Sequence, residues 1–296
     1  MLMKKFTYLI PKSTDEAISM HESHGERAKY IAGGTDVIVK IKEGKLSPDY
    51  LISLKHITSF DRLGLDKESG ELHIGALVTH RMLEKSPLIR LQYPILHDAV
   101  ANIGSVQIRN VATIGGNLVN AVPSADGAIP LIALDAKVKF YGPKGEQSED
   151  LIRFFLGPGQ NILERSEILT EIIVPPLIPN TGSAYIKFGR RAAMELPLLG
   201  VGVLLSLDED LKHCVKARIC LGVAAPTPMR AMEAEQFLTG KAIDEDMVSE
   251  AGRIAAKESR VRDSIRGVAW YRREMVSVLV KRMGLKCLER INHPNP

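Results

Sequence analysis

The segment that most constrains this chain is residues 103–126, IGSVQIRNVATIGGNLVNAVPSAD. Two small-residue turns, Gly104-Ser105 and Gly115-Gly116, punctuate it. Uncharged polar residues, among them Gln107, Asn110, Thr113, Asn117, Asn120 and Ser124, alternate with short apolar runs. Glycine and asparagine favour backbone states other than helix, so the composition argues against one. The segment is also too apolar and too long for an ordinary surface loop. A winding stretch whose amides and short polar side chains face a bound polar molecule satisfies both constraints. Glycine lets a backbone approach a ligand closely, and successive amides in a turn form an anion-binding concavity.

A second glycine turn lies upstream. Residues 29–32, KYIA, read as a strand, followed at once by Gly33-Gly34-Thr35-Asp36 and then by VIVKIK, a short helix that stops at Gly44. Strand, glycine turn and helix start together present free amide donors to a phosphate, with the Thr35 hydroxyl beside them. The alternative is a plain turn in which Asp36 caps the helix. The motif is neither G-x-G-x-x-G nor a P-loop, since no Gly-Lys-Ser/Thr follows. A nicotinamide Rossmann site and an NTPase are therefore disfavoured.

The remaining pattern gives the organisation. Ser13 and Glu16 form a capping box that opens a helix fading near Gly25. Strands are expected at 50–54, 71–76, 137–141 and 167–174. Helical pieces are expected from Thr79 to Ser86, after Pro94, at 128–134 and at 151–155. Pro175-Pro176 and Pro179-Asn180-Thr181-Gly182 are the clearest linker signal, which places a boundary between domains 1–176 and 177–296. Beyond it, strands at 184–188, 198–207 and 214–223 precede helices at 230–238, 246–259 and 268–283. Strands followed by helices predict an α+β domain with helices on one face of an antiparallel sheet.

Composition excludes several classes. The 296 residues, 45% hydrophobic and 25% charged, are ordinary for a soluble globular protein of two or three domains. A net charge of +4 does not by itself point to nucleic acid. No run of about twenty apolar residues is present, so no membrane span is expected. The opening MLMKKFTYLIPKS is too short in its apolar part for a signal peptide. Cys214, Cys220 and Cys287 lack C-x-x-C spacing and fit the apolar elements they punctuate, in keeping with a cytoplasmic protein. There is no G-x-S-x-G elbow. His56, His73, His80 and His97 are scattered without metal-ligand pairing. With no acid–base dyad and no thiolate site, no catalytic or metal-binding side chain is assigned, and any chemistry falls to a cofactor. The tail is basic: Arg253, Lys257, Arg260, Arg262, Arg266, Arg272, Arg273, Lys281, Arg282, Lys286 and Arg290. That pattern fits a solvated helix face, a docking face for an acidic partner or, less well, a nucleic-acid surface. Glu258, Asp263, Glu274 and Glu289 are interspersed among the cations.

AGGTD at 32–36, QIRNVATIGGNL at 107–118 and PSAD at 123–126 together resemble the FAD-binding medium subunit of molybdenum hydroxylases, the family of carbon monoxide dehydrogenase and xanthine dehydrogenase. The similarity runs nearly end to end. It includes FTYLIPKSTDEA at the start, GVAAPTPMRAMEAEQFLTG at 222–240 and WYRREMVSVLVKRM at 270–283. The resemblance implies a PCMH-like FAD-binding domain of two α/β lobes, about 1–56 and 57–176, and a smaller α+β domain of the carbon monoxide dehydrogenase flavoprotein type.

It also implies residue roles. Ala32, Gly33, Gly34, Thr35 and Asp36 would wrap the FAD pyrophosphate, flanked by Ile31 and Val37. Thr113, Ile114, Gly115, Gly116 and Asn117 would form a second clamp on the phosphate and ribityl region. Asp126 would bond a cofactor hydroxyl, unless it caps the helix at 128–134. Ile103 and Gly104 would pack near the flavin and adenine portions, and Leu169 lies on the strand that approaches the cofactor. Both Ile103 and Leu169 also suit a plain core. Lys187 would bring a cation toward the isoalloxazine and favour an anionic reduced flavin, unless it is an exposed strand residue. Arg109 suits a phosphate or a partner subunit equally and is not assigned.

The implied FAD is non-covalent, since His21 and His24 precede the first turn by several residues. Molybdopterin and iron–sulfur clusters would sit only on partner subunits, a large molybdopterin-binding chain and a small iron–sulfur chain. The implied function is transfer of electrons from the partner's clusters through FAD to a soluble external acceptor. Alternatives are a stand-alone flavin-dependent reductase of related fold and a binding protein that has lost its flavin. The intact glycine turns argue against the latter.

Overall fold

A computed structural model describes residues 4–191 and 193–293 of the chain. Residues 1–3 and 294–296, the outer ends of the two expected domains and the start of the opening peptide, lie outside the described residues.

The first lobe is a parallel sheet in the order Thr7–Leu9, Tyr50–Ser53, Ala28–Ile31. Parallel sheets are normally covered on both faces, and the central strand here shows it. Leu51 packs with Ile31 and Ile41 on one side, and Ile52 with Ala17, Ile18 and Ala28 on the other. Helix Thr14–His24 starts as expected, with the Glu16 amide donating to Ser13 Oγ at 3.1 Å. The return bond differs from a regular capping box: Glu16 Oε2 accepts from the Lys12 amide, at 2.7 Å, one residue before the cap.

The second lobe is an antiparallel sheet in the order Leu63–Leu65, Leu72–Gly75, Ile168–Val174, Lys137–Gly142, Gly145–Asp150. Short helices pack beside it: His80–Lys85, Pro87–Gln92, Pro94–Val100, Val106–Arg109, Ile114–Val119 and Ala128–Ala133. Pro87 and Pro94 sit in the first helical turn, where the missing N–H costs nothing. The helical piece expected at 151–155 ends sooner, at Arg153, and Phe155–Gly157 pairs with Gln160–Asn161.

The expectation that 103–126 contains no helix is overturned. Ser105 and Thr113 each accept an amide three residues on, and these caps open Val106–Arg109 and Ile114–Val119. Propensity is weak beside tertiary packing. Ile114 and Leu118 are fully buried, which holds a single turn together despite its two glycines.

The C-terminal sheet is antiparallel, in the order Thr181–Phe188, Leu199–Leu207, Cys214–Gly222, Met229–Arg230. Helices Met232–Leu238, Glu245–Glu258 and Ala269–Asn292 cover one face. The last runs nine residues past its expected end at 283, because Cys287 and Ile291 continue the buried face. Every residue of Leu199–Leu207 is buried. Leu199, Val201, Val203 and Leu205 face the helices, whereas Leu204 belongs to the core of the second lobe. Gly202 and Gly222 make that second contact possible: a Cβ at either would lie 3.0 Å from the Ile129 side chain. All three cysteines are buried. Within the basic tail, Arg272 is buried and Arg290 pairs with Asp98.

Candidate cofactor site

The first glycine turn leaves the carboxyl end of strand Ala28–Ile31, the end at which open α/β sheets receive ligands. A Cβ at Gly33 would lie 2.1 Å from the Val111 carbonyl oxygen and 2.9 Å from Ala112 Cα. The first bend therefore rests on the backbone that leads into the second. Gly34 has φ +76°, a conformation that side chains rarely adopt. The amides of Gly33, Gly34, Thr35 and Asp36 find no acceptor among the described residues. Asp36 occupies the cap position of Val37–Lys42 without capping it. Its Oδ1 accepts from Asn120 Nδ2 at 2.9 Å, and Asn120 Oδ1 accepts from Lys40 Nζ at 2.8 Å, tying the two motifs together.

The second bend is built differently. The Ile114 amide donates to Val78 O (2.9 Å), Gly115 to Ala76 O (3.0 Å), Gly116 to Thr113 Oγ1 (3.1 Å) and Asn117 to Thr113 O (3.0 Å). Its amides thus serve the protein's own framework. A Cβ at Gly115 would strike Ala76, 2.6 Å from its carbonyl oxygen. A Cβ at Gly116 would meet Thr113 Oγ1 at 2.9 Å, the hydroxyl oxygen that caps this helix, so it would crowd a side-chain oxygen and no backbone outside the turn. Asn117 Oδ1 accepts from the Gly127 amide at 3.2 Å, which fixes the turn carrying Asp126.

Asp126 is buried, with 6% relative exposure. It does not cap the following helix, whose N-cap is Gly127. Its Oδ1 accepts from the Tyr185 hydroxyl at 2.6 Å, and its Oδ2 from Lys187 Nζ at 2.7 Å. Lys187 is therefore neither an exposed strand residue nor a free cation; its side chain is 12% exposed and also donates to Asn102 O at 3.2 Å. Burial pushes the Asp126 carboxyl above the usual carboxylate range, against the pull of Lys187 and Tyr185. Burial, reinforced by Asp126, drives the Tyr185 phenol well above its ordinary value.

The other residues fall into two groups. Gly104, at φ +52°, accepts the Met194 amide at 3.3 Å through its carbonyl oxygen, so Met194 of the C-terminal domain reaches this turn. Ile103 and Leu169 are buried in the same hydrophobic core as Ile114. Leu169 lies behind the second bend: its neighbour Thr170 accepts the Ala76 amide at 2.9 Å, and Ala76 in turn accepts Gly115. Arg109 is a structural residue. It is buried, paired with Glu84 at 2.9 Å and bonded to Ile103 O at 3.0 Å. Asn120 stands among the polar residues of the 103–126 segment without an assigned role, and Tyr185 has no role in the sequence reading. The signal for Tyr185 is its position two residues from Lys187, which puts both on one strand face.

Two lobes holding paired glycine bends, followed by a helix-covered sheet, define a flavoprotein architecture, and the comparisons agree. Residues 4–177 match the family model described as the FAD binding domain in molybdopterin dehydrogenase, and residues 183–287 the CO dehydrogenase flavoprotein C-terminal domain. The nicotinate dehydrogenase FAD-subunit of Eubacterium barkeri is 33% identical over 80% of this chain and 81% of its own. The carbon monoxide dehydrogenase medium chain of Hydrogenophaga pseudoflava is 31% identical over 95% and 96%. The solved structure of carbon monoxide dehydrogenase from Hydrogenophaga pseudoflava superposes with a TM-score of 0.91 at 31% identity, covering 98% of this chain and 99% of that one. Quinoline 2-oxidoreductase from Pseudomonas putida gives 0.90 at 27% identity, over 98% and 99%. The chain belongs to the FAD-binding medium-subunit family of molybdenum-containing dehydrogenases of the carbon monoxide and xanthine dehydrogenase type.

Proposed function

We propose that this chain holds FAD non-covalently, with the diphosphate against the bend at residues 33–36, and passes electrons from the iron–sulfur clusters of a partner subunit to a soluble acceptor. The observation that carries this reading is the contact between the two bends, with the amides of Gly33, Gly34, Thr35 and Asp36, which have no acceptor among the described residues, on one of them. Those donors, with the Thr35 hydroxyl, fit a diphosphate. Gly116 leaves the second bend open for a close approach. Asn117, Asp126 and Lys187 would then meet the ribityl and flavin portions, Ile103 and Leu169 would form the apolar wall behind, and Gly104 would lie beneath the ring. Ile31 and Val37 frame the first bend. FAD, when bound, supplies the capacity to take up and release electrons singly or in pairs. The chain's own residues bind and orient it. Because Asp126 neutralises Lys187, that pair presents the cofactor with little net charge, in place of a lone cation.

The domain division at 176/177 follows the same reading. So does assembly with a molybdopterin-binding large subunit and an iron–sulfur small subunit in the cytoplasm. Relatives named as medium chains and complex subunits support the assembly, and among the described residues no helix is long and apolar enough to cross a membrane. The purified chain is expected to be yellow and to release about one equivalent of FAD on acid precipitation. A colourless chain that takes up no FAD on titration would contradict the proposal.

A further inference from the structure

We propose that Tyr185 is a positioning residue of the cofactor site, its hydroxyl orienting the Asp126 carboxylate toward the bound dinucleotide. The inference rests on the FAD reading above and extends it to a residue of the C-terminal domain. Tyr185 and Lys187 share one face of strand Thr181–Phe188, and each serves a different oxygen of Asp126, at 2.6 and 2.7 Å. A carboxylate oxygen accepts two hydrogen bonds, so each oxygen keeps one lone pair for a ligand hydroxyl.

The surroundings are fitted to that hydroxyl. A Cβ at Gly200, on the neighbouring strand, would lie 2.8 Å from the Tyr185 hydroxyl oxygen, and one at Gly202 would lie 3.8 Å from its ring. The phenol oxygen therefore occupies the space that Gly200 leaves without a side chain, while the contact at Gly202 is an ordinary one. The Tyr185 amide donates to Asp98 Oδ2 at 3.3 Å, and Asp98 is itself held by Arg290, so the strand cannot slide. Packing alone would be served by phenylalanine. The hydroxyl is the part that requires Gly200.

Lys187 and Tyr185 are the titratable groups that act on Asp126, with the Asp98–Arg290 pair next along the strand. Losing a donor makes a buried carboxylate retain its proton to higher pH. A protonated Asp126 has lost the charge and one of the acceptor positions offered to the ligand.

The test is Tyr185→Phe in the full chain, with FAD affinity followed by flavin fluorescence across pH. The expected result is about tenfold weaker binding at pH 7 and an acid-side midpoint of FAD retention raised by about one pH unit. Gly200→Ala, which displaces the hydroxyl without removing it, should move the midpoint the same way and decides the matter if Tyr185→Phe does not fold. A Tyr185→Phe chain with the parental pH midpoint, whatever its thermal stability, would reduce Tyr185 to a packing role and overturn the inference. A parent chain that binds no FAD at any pH would instead overturn the reading on which it rests.

Discussion

The four glycines of the two bends do different work. Gly33 lets the first bend touch Val111 and Ala112, and Gly115 lets the second pack on Ala76. Gly34 supplies a left-handed turn, and half-buried Gly116 leaves room for the Thr113 cap oxygen. Substitutions should separate these roles. Gly115→Ala forces a Cβ onto backbone and should destabilise the protein by about 1–3 kcal/mol, measured by urea unfolding. Gly116→Ala presses only on the Thr113 cap oxygen, so it should cost about 1 kcal/mol, the worth of an N-cap, less than Gly115→Ala, and lower FAD retention. Equal unfolding midpoints for the two variants would contradict this division. The sequence places glycines but not their neighbours: the clash at Gly115 depends on Ala76, thirty-nine residues away. Long-range contact likewise decides Arg109, whose guanidinium turns inward to Glu84, and Lys187, which meets Asp126.

Among the elements, short capped helices carry the site. Thr113 opens Ile114–Val119 by accepting the Gly116 amide. Thr113→Ala should cost about 1 kcal/mol, within the range measured for lost N-caps, and should weaken FAD binding by loosening the second bend. Thr113→Ser should restore both, as read by thermal unfolding and flavin titration. Strands are legible in the sequence where aliphatic residues dominate a short run, as at Leu199–Leu207 and Ile168–Val174. The helices inside 103–126 are not, because their composition is poor for helix and only a cap and a buried face sustain them. The end of the last helix was missed for a related reason: Gly284 interrupts the pattern, although Cys287 and Ile291 resume it on the buried side.

At the scale of the whole molecule, the domains are joined by acids on one side and bases on the other. Asp98 pairs with Arg290, Asp126 with Lys187, and Asp135 with Lys216 and Arg218. Tyr185, Leu204 and Cys220 of the C-terminal sheet complete the hydrophobic core of the second lobe. The two domains should therefore unfold in one cooperative transition; two resolved calorimetric peaks would contradict that.

The pairs differ in pH response. Burial tends to raise the Asp135 carboxyl, but Arg218 and Lys216 outweigh it and hold it below the usual value. Its contribution is thus present above the unfolded-state value, about 3.9 for Asp, and is lost as pH falls through its lowered folded value. Asp126 is shifted upward, so its contribution is present below the unfolded value and is lost as pH rises through the folded one. Asp135→Asn should lower stability by about 1–3 kcal/mol at pH 7 and much less below pH 3. A loss that is the same at both pH values would assign Asp135 no electrostatic role.

The central claim is that the bend at residues 33–36 grips the diphosphate of one dinucleotide while the bend at 113–117 closes over it. A crystal structure of the flavin-loaded chain tests this most directly. The account predicts diphosphate oxygens within hydrogen-bond distance of the Gly33, Gly34, Thr35 or Asp36 amides, with Gly116 against the cofactor. Density placing the diphosphate away from both bends, with those four amides turned to bulk water, would contradict it.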